Sequence, residues 1–278
     1  MQNIKVNSGS NPHSLSTANR MQYEPTNDAS SAETQLERAT EELRRLVLDG
    51  TFPLDVKLPE ARVAELLRVS RTPARLAMAA LEKDGLLVRL PRRGFRVRSF
   101  GLDEIVEAVE MRGELEAIAA RLVAERGIDA AHRARMEACI GRAALLMKMA
   151  SFDAAQRRAW CEMNGDFHDA LVAACGIGPL GAAHVQVSRV PLASPREIMF
   201  NISEAEVGRA QLAATHEDHT RILDALIARR STRAAALVRE HAYRSGENKR
   251  RNFPDLDRTV VIETPGAALV RQADGASD

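Results

Sequence analysis

Three histidines lie on helical stripes of apolar residues in the second half of this 278-residue sequence. His168 follows Asn164 by one helical turn, so the two side chains share a face. His219 and His241 lie on two later stripes, and a bundle of these helices would bring the imidazoles together. Neutral imidazole is the commonest protein ligand for transition metals, and an amide oxygen adds a harder donor. The spacing predicts a divalent metal site for zinc, nickel, iron or manganese, but leaves open that each histidine is an ordinary hydrogen-bonded core residue.

A second set of residues suited to binding chemistry lies in the first hundred positions. Arg71 and Arg75 are four residues apart at the N-terminal end of a short predicted helix, which Ser70 or Thr72 would cap. Another short helix, opened by Pro59, precedes it across a tight turn. The buried face of the second helix is predicted to consist of Leu76, Ala77, Ala80 and Leu81. Because a DNA-reading helix points its first turns into the major groove, this arrangement predicts a helix-turn-helix.

A basic β-hairpin follows these two helices. Residues 86–88 and 95–98 have the composition of strands, and the turn between them supplies Arg92, Arg93 and Gly94. Residues 60–98 contain ten basic and four acidic residues, a net charge of +6, whereas the whole chain carries +1. Because phosphate neutralisation supplies most non-specific DNA affinity, this concentration of positive charge favours a winged, DNA-binding domain. A small solvated helical domain with scattered arginines is the alternative.

The elements that position both groups are almost all helical. A helix that ends at Gly50 completes a winged helix-turn-helix domain over residues 32–99, and residues 99–101 form a short hinge. Helical periodicity then predicts six helices up to residue 250, at about 105–127, 129–150, 153–175, 179–191, 204–229 and 231–250. The predicted fold class is therefore mainly α, with an N-terminal winged domain that has a small β-wing and an all-α bundle over residues 100–250. Residues 1–31 are predicted to be a disordered tail, and residues 251–278 a C-terminal tail with a stray strand at 259–263.

Composition places the chain among helical proteins of a reducing compartment. Aromatic residues make up only 4%, and the three cysteines lack zinc-ribbon spacing, so we expect buried thiols. Residues 1–31 have no apolar segment that would serve as a signal peptide. Residues 170–188 are uncharged, but glycines and a proline interrupt them, which argues against a membrane span. We therefore expect a cytoplasmic protein that does not enter the membrane.

The basic segment resembles a known DNA-binding domain. The pattern VSRTPxR, followed by LxxxGLL and RRGFxV, is similar to the N-terminal domain of the GntR family of bacterial transcription regulators. The resemblance implies that Arg62, Arg71 and Arg75 contact DNA and that Gly94 lets the wing tip enter the minor groove. One departure is Arg68, which stands where the family usually has glycine in a left-handed turn, at a cost of about 1 kcal/mol. We expect Arg68 to add a phosphate contact.

The helical half resembles the FCD effector domain of FadR-type GntR regulators, and its six helices suggest the VanR-like subgroup. The resemblance rests on Asn164-x-x-Phe-His168, on His219-x-x-Ile-Leu and on His241 twenty-two residues later. It implies that these four residues hold a divalent ion and that a small carboxylate effector completes the coordination. Asparagine in place of the family's aspartate removes one negative charge, which weakens metal affinity and favours an anionic effector. Arg112 and Arg189 are candidate partners of the effector carboxylate, with an ordinary ion pair as the alternative for each.

The function predicted from these features is transcription regulation without catalysis. We expect a homodimer that binds double-stranded operator DNA, represses transcription and responds to a small organic acid. A metal sensor in which the ion is the signal, and an architectural DNA-binding protein, are alternatives. A helical metalloenzyme is disfavoured because no glutamate precedes His168, His219 or His241 by three residues. The other histidines are predicted to have no role in the site: His13, His132, His184 and His216.

Overall fold

The structure, a computed structural model, describes residues 27–91, 94–149, 152–199, 205–253 and 266–271. Within these ranges the chain forms a small winged domain followed by a helical bundle, which confirms the predicted fold class. The elements of the winged domain are α1 Asn27–Leu48, β1 Lys57–Leu58, α2 Glu60–Leu67, α3 Arg71–Lys83, β2 Leu87–Arg89 and β3 Phe95–Val97. Helix α1 begins at Asn27, before the predicted start of the winged domain at residue 32. Residues 27–31, which were predicted to belong to a disordered tail, are therefore helical.

The remaining elements begin with β4 at Phe100–Gly101 and comprise six long helices and a short C-terminal segment. The helices are α4 Leu102–Arg126, α5 Ala130–Met147, α6 Ala154–Cys175, α7 Gly178–Val187, α8 Ala205–Ile227 and α9 Ser231–Asn252. A 3₁₀ turn at Ala267–Leu269 and strand β5 at Val270–Arg271 complete the described chain. The six predicted helices are all present within the described residues. The predicted strand at 259–263 lies outside them.

The winged domain packs α1 and α2 against α3. The turn between α2 and α3 places Arg68 in the left-handed region at φ 53°, the conformation in which the family usually has glycine. The buried face of α3 differs from the predicted one, because Ala74, Ala77, Met78 and Leu81 form it. Leu76 was predicted to be buried but is 47% exposed. The stripe is rotated because Met78, an unbranched and adaptable side chain, fills the core position instead.

The wing is a three-stranded antiparallel sheet in the order β1-β3-β2. Phe95 lies opposite both Leu58 and Arg89, so β3 is the central strand. Strand β1 was not predicted, since two residues carry too short a pattern to show alternation. Gly94 precedes β3 at φ 127°, a conformation that side-chain-bearing residues rarely adopt.

In the bundle, α4 and α9 pack closely against each other. A β-carbon at Gly113 would collide with the side chain of Ala242 on α9, so only glycine permits this approach. Trp160, Phe167 and Leu226 lie at the centre of the surrounding core, each with no exposed surface. The cysteines are unpaired; Cys139 and Cys175 are buried, and Cys161 is half-buried. No helix among the described residues is long and apolar enough to cross a membrane.

The predicted hinge is instead a strand held by the C-terminal segment, residues 266–271. Strand β4 pairs in parallel with β5, and Phe100 faces Val270. Leu269 is fully buried in the core of the winged domain, and Gly266 donates a backbone hydrogen bond to Leu48 at 3.0 Å. The predicted short hinge at residues 99–101 and the predicted C-terminal tail therefore contain paired strands, β4 and β5. Phe100 and Val270 are far apart in the sequence, and their pairing leaves no pattern in either segment from which it could be predicted.

Candidate DNA interface and metal centre

The N-terminal half of α3 carries exposed cations. Arg71, Thr72 and Arg75 are all exposed, and no ion pair joins either guanidinium to another described residue. Ser70 occupies the N-cap position, but its side chain makes no capping hydrogen bond. Both guanidinium groups and the two hydroxyls are therefore available to a ligand, as a DNA-reading helix requires.

Most other basic residues of this domain are neutralised within the protein. Arg62 bonds Glu65 at 3.1 Å, and Arg89 bonds Glu82 at 2.7 Å. Further pairs join Arg96 to Asp55 and Arg98 to Glu104. The surface that carries unpaired positive charge is thus smaller than the net charge of the segment suggested. It centres on Arg68, Arg71 and Arg75. Arg92 and Arg93 of the predicted wing tip lie outside the described residues.

His168, His219 and His241 converge inside the bundle, from α6, α8 and α9. One ligand nitrogen from each lies within 4.8 Å of the other two. Ring centroids are separated by 5.4 Å for His168 and His219, 5.2 Å for His168 and His241, and 5.0 Å for His219 and His241. All three are buried, and Phe167 stacks on His219 at 4.0 Å. The sequence-predicted histidines therefore form one cluster.

Two carboxylates orient the cluster from outside. Nδ1 of His168 lies 2.9 Å from Glu116, and Nδ1 of His241 lies 3.2 Å from Asp218. Such contacts fix the tautomer of a metal-ligating histidine and leave Nε2 for the ion. Within the described part of the chain, Nε2 of His168 and both ring nitrogens of His219 are buried without a hydrogen-bond partner. Unpaired buried nitrogens are costly, so this donor set fits a divalent metal ion better than it fits an ordinary core.

Asn164 is the residue predicted to be the fourth donor. It lies one turn before His168 on α6 and is buried. Its Nδ2 donates to the carbonyl of Pro195 at 2.7 Å, while Oδ1 is buried and has no hydrogen-bond partner among the described residues. The amide is thereby fixed with its oxygen free, which is the orientation that a metal ligand needs.

The apolar stripes that located the three histidines did not point to the carboxylate at the centre of this network. Glu116 is fully buried and contacts His184 as well as His168, with its other oxygen 2.9 Å from Nε2 of His184. His184, predicted to have no role, is thus part of the layer around the cluster. Its position on α7, among uncharged residues and glycines, carried no helical stripe that pointed to Glu116.

Burial and charge keep the cluster in the protonation states that metal binding needs. Burial raises the pKa of Glu116, but His168, Arg112 and the hydrogen bonds outweigh it and hold the pKa well below its ordinary value. Burial also lowers the pKa of His168, and burial together with the neighbouring histidines lowers the pKa of His219 well below its ordinary value. At neutral pH the carboxylate is charged and these imidazoles are neutral.

A cavity of about 360 Å³ adjoins the cluster between α6, α8 and α9. Asn164 and His241 form part of its wall, together with Arg244 and Arg251. Asp218 accepts from Arg244 at 2.9 Å and also contacts His241. The remaining wall includes five neutral hydrogen-bonding side chains: Gln211, Thr215, Ser245, Asn248 and Asn252. The cavity is large enough for a small organic molecule and rich in groups that bind polar atoms.

The two predicted effector arginines have different surroundings. Arg112 is 2% exposed, its Nε lies 3.5 Å from Glu116, and no described residue forms a hydrogen bond with its Nε or Nη1. Arg189 instead forms an ion pair with Asp84, the residue after α3, and donates to Gln186 at 3.3 Å. This ion pair is the alternative to an effector role that the sequence left open for Arg189. That contact depends on how the two halves pack, which sequence spacing does not reveal.

A winged helix-turn-helix with a free basic reading helix, joined to a helical bundle with a buried polar centre, defines a class: two-domain transcription regulators. Residues 35–97 match the bacterial regulatory proteins of the gntR family, and residues 107–244 match the FCD domain. The chain belongs to the GntR family and carries an FCD domain.

Individual relatives agree with this assignment. The chain is 26% identical over 211 residues to the HTH-type transcriptional repressor GlaR of Escherichia coli, covering 72% of this chain and 88% of GlaR. It is 31% identical over 146 residues to an HTH-type transcriptional regulator of Agrobacterium vitis, covering 52% of this chain and 84% of that protein. The fold matches Escherichia coli McbR/YncC with a TM-score of 0.56 at 18% identity, covering 79% of this chain and 98% of the other.

Proposed function

We propose that this regulator is a homodimeric cytoplasmic repressor whose operator binding changes when a small organic acid binds beside a metal ion in the FCD domain. The observation that carries this proposal is the histidine cluster, with its nitrogens within 4.8 Å of one another and a cavity beside it. A buried cluster with unpaired nitrogens has a cost in stability that only a bound ligand offsets.

The DNA-binding role is assigned residue by residue. Arg71 and Arg75 read base edges in the major groove, where bidentate arginine contacts favour guanine. Arg62, Ser70 and Thr72 hold phosphates, and Arg68 adds a further phosphate contact. Arg92, Arg93 and Gly94 enter the minor groove at the wing tip. The free guanidinium groups of Arg71 and Arg75 on α3 support their assignment as base-reading residues. Among the proposed DNA-binding arginines that the structure describes, Arg62 alone has an ion-pair partner within the protein, Glu65.

Asn164, His168, His219 and His241 would hold the ion, which we propose to be zinc, nickel, iron or manganese. A bound divalent ion supplies an electrophilic position for a carboxylate oxygen. Glu116 and Asp218 orient His168 and His241, so the histidine nitrogens are fixed before the ion arrives. Three neutral imidazoles and a neutral amide leave the full positive charge of the ion in place, which favours an anionic effector.

Arg112 would meet the effector carboxylate. Its Nε and Nη1 are buried and unpartnered, and Glu116 offers it only a long contact at 3.5 Å. A buried guanidinium in this state gains strongly from an added anion. Arg112 does not line the cavity beside the cluster; the amides, hydroxyls and two arginines that do, Arg244 and Arg251, would contact the rest of the molecule.

Helix α7 provides a route from the effector site to the DNA-binding helix. His184 on α7 contacts Glu116, and Arg189 just beyond α7 pairs with Asp84 at the end of α3. A change in the position of Glu116 would therefore shift both ends of one short, rigid element. Coupling free energies of about 1–3 kcal/mol are typical and suffice to release a moderately tight DNA complex.

The proposal is tested with untagged protein and two measurements. Elemental analysis after dialysis determines whether metal is retained, and a His168→Ala variant should lose it. Operator duplexes selected from a randomised pool are then titrated with metal-loaded protein, with and without mono- and dicarboxylic acids. Loss of the metal in the variant together with an acid-dependent change in DNA affinity supports the proposal; unchanged DNA affinity with every acid contradicts it.

A metal-sensing regulator is the second candidate, and the same cluster supports it. In that case the ion dissociates on dialysis, and adding it alone changes operator affinity. An architectural protein with an inert helical domain would bind DNA identically with or without metal and acids. A catalytic role has less support, because no Glu-x-x-His pair accompanies the cluster histidines in the sequence.

A further inference from the structure

We propose that Leu76 contacts a thymine methyl group in the operator, next to the base pair that Arg75 reads. The inference rests on the proposed role of α3 as the DNA-reading helix. It adds a residue that chooses a base by apolar contact to a surface otherwise made of arginines and hydroxyls.

Exposure of Leu76 follows from how α3 packs. Ala74, Ala77, Met78 and Leu81 are fully buried on the opposite face, so the helix cannot rotate Leu76 inward without exposing them. Leu76 is 47% exposed, and among the described residues of α3 it is the large hydrophobic side chain that remains exposed to solvent. Isolated exposed leucines are common, so its neighbours decide what the exposure means.

Those neighbours are the proposed DNA contacts. Leu76 follows Arg75 directly and lies four residues after Thr72, so the three side chains share the outward face. All lie in the first two turns of α3, the part that enters the major groove in a helix-turn-helix complex. An apolar group at this place loses its contact with water when DNA binds, and it needs an apolar partner there.

Only thymine presents a methyl group in the major groove, and apolar side chains are its usual partners. Successive residues of an α-helix advance only about 1.5 Å along its axis but project about 100° apart, so the ends of their side chains diverge by at least the rise of one base pair, about 3.4 Å. A helix that follows the groove therefore places Leu76 against the base pair beside that of Arg75. The expected half-site thus contains a thymine adjacent to the guanine read by Arg75.

The experiment removes the methyl group alone. Operators are selected from a randomised duplex pool with the full-length protein, and each thymine of the selected site is replaced in turn by deoxyuridine. For the wild type we expect one thymine per half-site at which the replacement weakens binding about three- to fivefold, the effect of losing one buried methyl contact. In a Leu76→Ala variant the same replacement should have no effect.

Val56→Ala is the matched control. Val56 is also exposed, at 54%, but it precedes β1 at the end away from the wing turn. This variant should keep the full deoxyuridine effect, and thermal unfolding should show that both variants are folded. The proposal is overturned if no thymine in the wild-type site is sensitive, or if Leu76→Ala retains the sensitivity. Failure to select any duplex would instead refute the DNA-binding function itself.

Discussion

Nδ1 of His168 and a carboxylate oxygen of Glu116 lie 2.9 Å apart in the interior of the bundle, and the other oxygen of Glu116 contacts His184. One carboxylate thus links His168, a proposed metal ligand on α6, to the helix that reaches the winged domain. Glu116 is buried on α4, beside Arg112, so it also lies where the effector is proposed to bind.

Replacing Glu116 by glutamine should lower metal affinity about 10- to 100-fold, because His168 loses the charged group that fixes its tautomer and orientation. Competition with a zinc-binding dye measures the change. Glu114→Gln is the control, since Glu114 lies on the same helix but is exposed and pairs with Arg239. Equal metal affinities for Glu116→Gln and the wild type would refute the orienting role.

Arg75→Ala should weaken binding to a selected operator by about 1–3 kcal/mol and leave binding to random DNA nearly unchanged. Arg68→Ala, in contrast, should weaken both duplexes alike and reduce the salt slope by about one, as expected for a phosphate contact. Salt-dependent titrations of both duplexes separate the two effects. If Arg75→Ala weakens both duplexes equally, it does not read a base.

Arg189→Ala should reduce the effect of the organic acid on operator binding while metal affinity stays the same. The substitution breaks the contact with Asp84, through which α7 reaches the end of α3. Operator titrations with and without the most effective acid measure the loss of coupling. Arg142→Ala removes a comparable exposed ion pair, with Asp166 on the neighbouring helix α6, and should leave the coupling intact. Full coupling in Arg189→Ala would exclude this route.

Leu269→Ala should lower the free energy of unfolding by about 2–5 kcal/mol, because Leu269 is fully buried in the core of the winged domain. Urea titration followed by circular dichroism measures the change. Leu145→Ala, at a position 68% exposed, should change it by less than about 0.5 kcal/mol. A Leu269→Ala variant as stable as the wild type would mean that the C-terminal segment does not support this core.

The metal-free protein should lose stability as pH falls below about 6.5, in part through His219. Its pKa in the folded state is lowered by burial and by the neighbouring histidines, so below pH 6.5 the unfolded chain binds a proton that the folded chain does not. The free energy of unfolding therefore decreases on acidification, because protonation of His219 favours the unfolded chain.

Comparison with His219→Leu isolates this contribution from those of other groups. Between pH 6.5 and 5, the difference in unfolding free energy between the two proteins should change by up to about 1.4 kcal/mol per pH unit. Both proteins are treated with chelator before urea titration. Parallel pH profiles would show that His219 titrates normally in the folded state.

The sequence predicted the histidine cluster well because each of its three histidines lies on a strong apolar stripe. His168, His219 and His241 face inward for the same reason as their apolar neighbours, and convergence follows from packing the helices. Glu116 and His184 could not be found this way. A buried carboxylate and an imidazole on a glycine-containing helix become partners only through the packing of α4 on α7.

Side-chain exposure on α3 was predicted less well than the helix itself. Leu76 and Ala77 read as one apolar face, but Met78 and Ala74 together fill the core and rotate the helix by about one residue, which is 100° at 3.6 residues per turn. The same dependence on distant packing hid the pairing of Phe100 with Val270. Local pattern gave the elements, and long-range contacts determined which of their faces remain free.

Fluorescence anisotropy of full-length, metal-loaded protein on a selected operator and on a scrambled duplex tests the central claim most directly. At about 150 mM salt we predict at least a thousandfold preference for the operator, and a change of about fivefold or more when an effective organic acid is added. Equal dissociation constants for the two duplexes, with and without every acid, would contradict a DNA-reading domain coupled to a metal-dependent sensor.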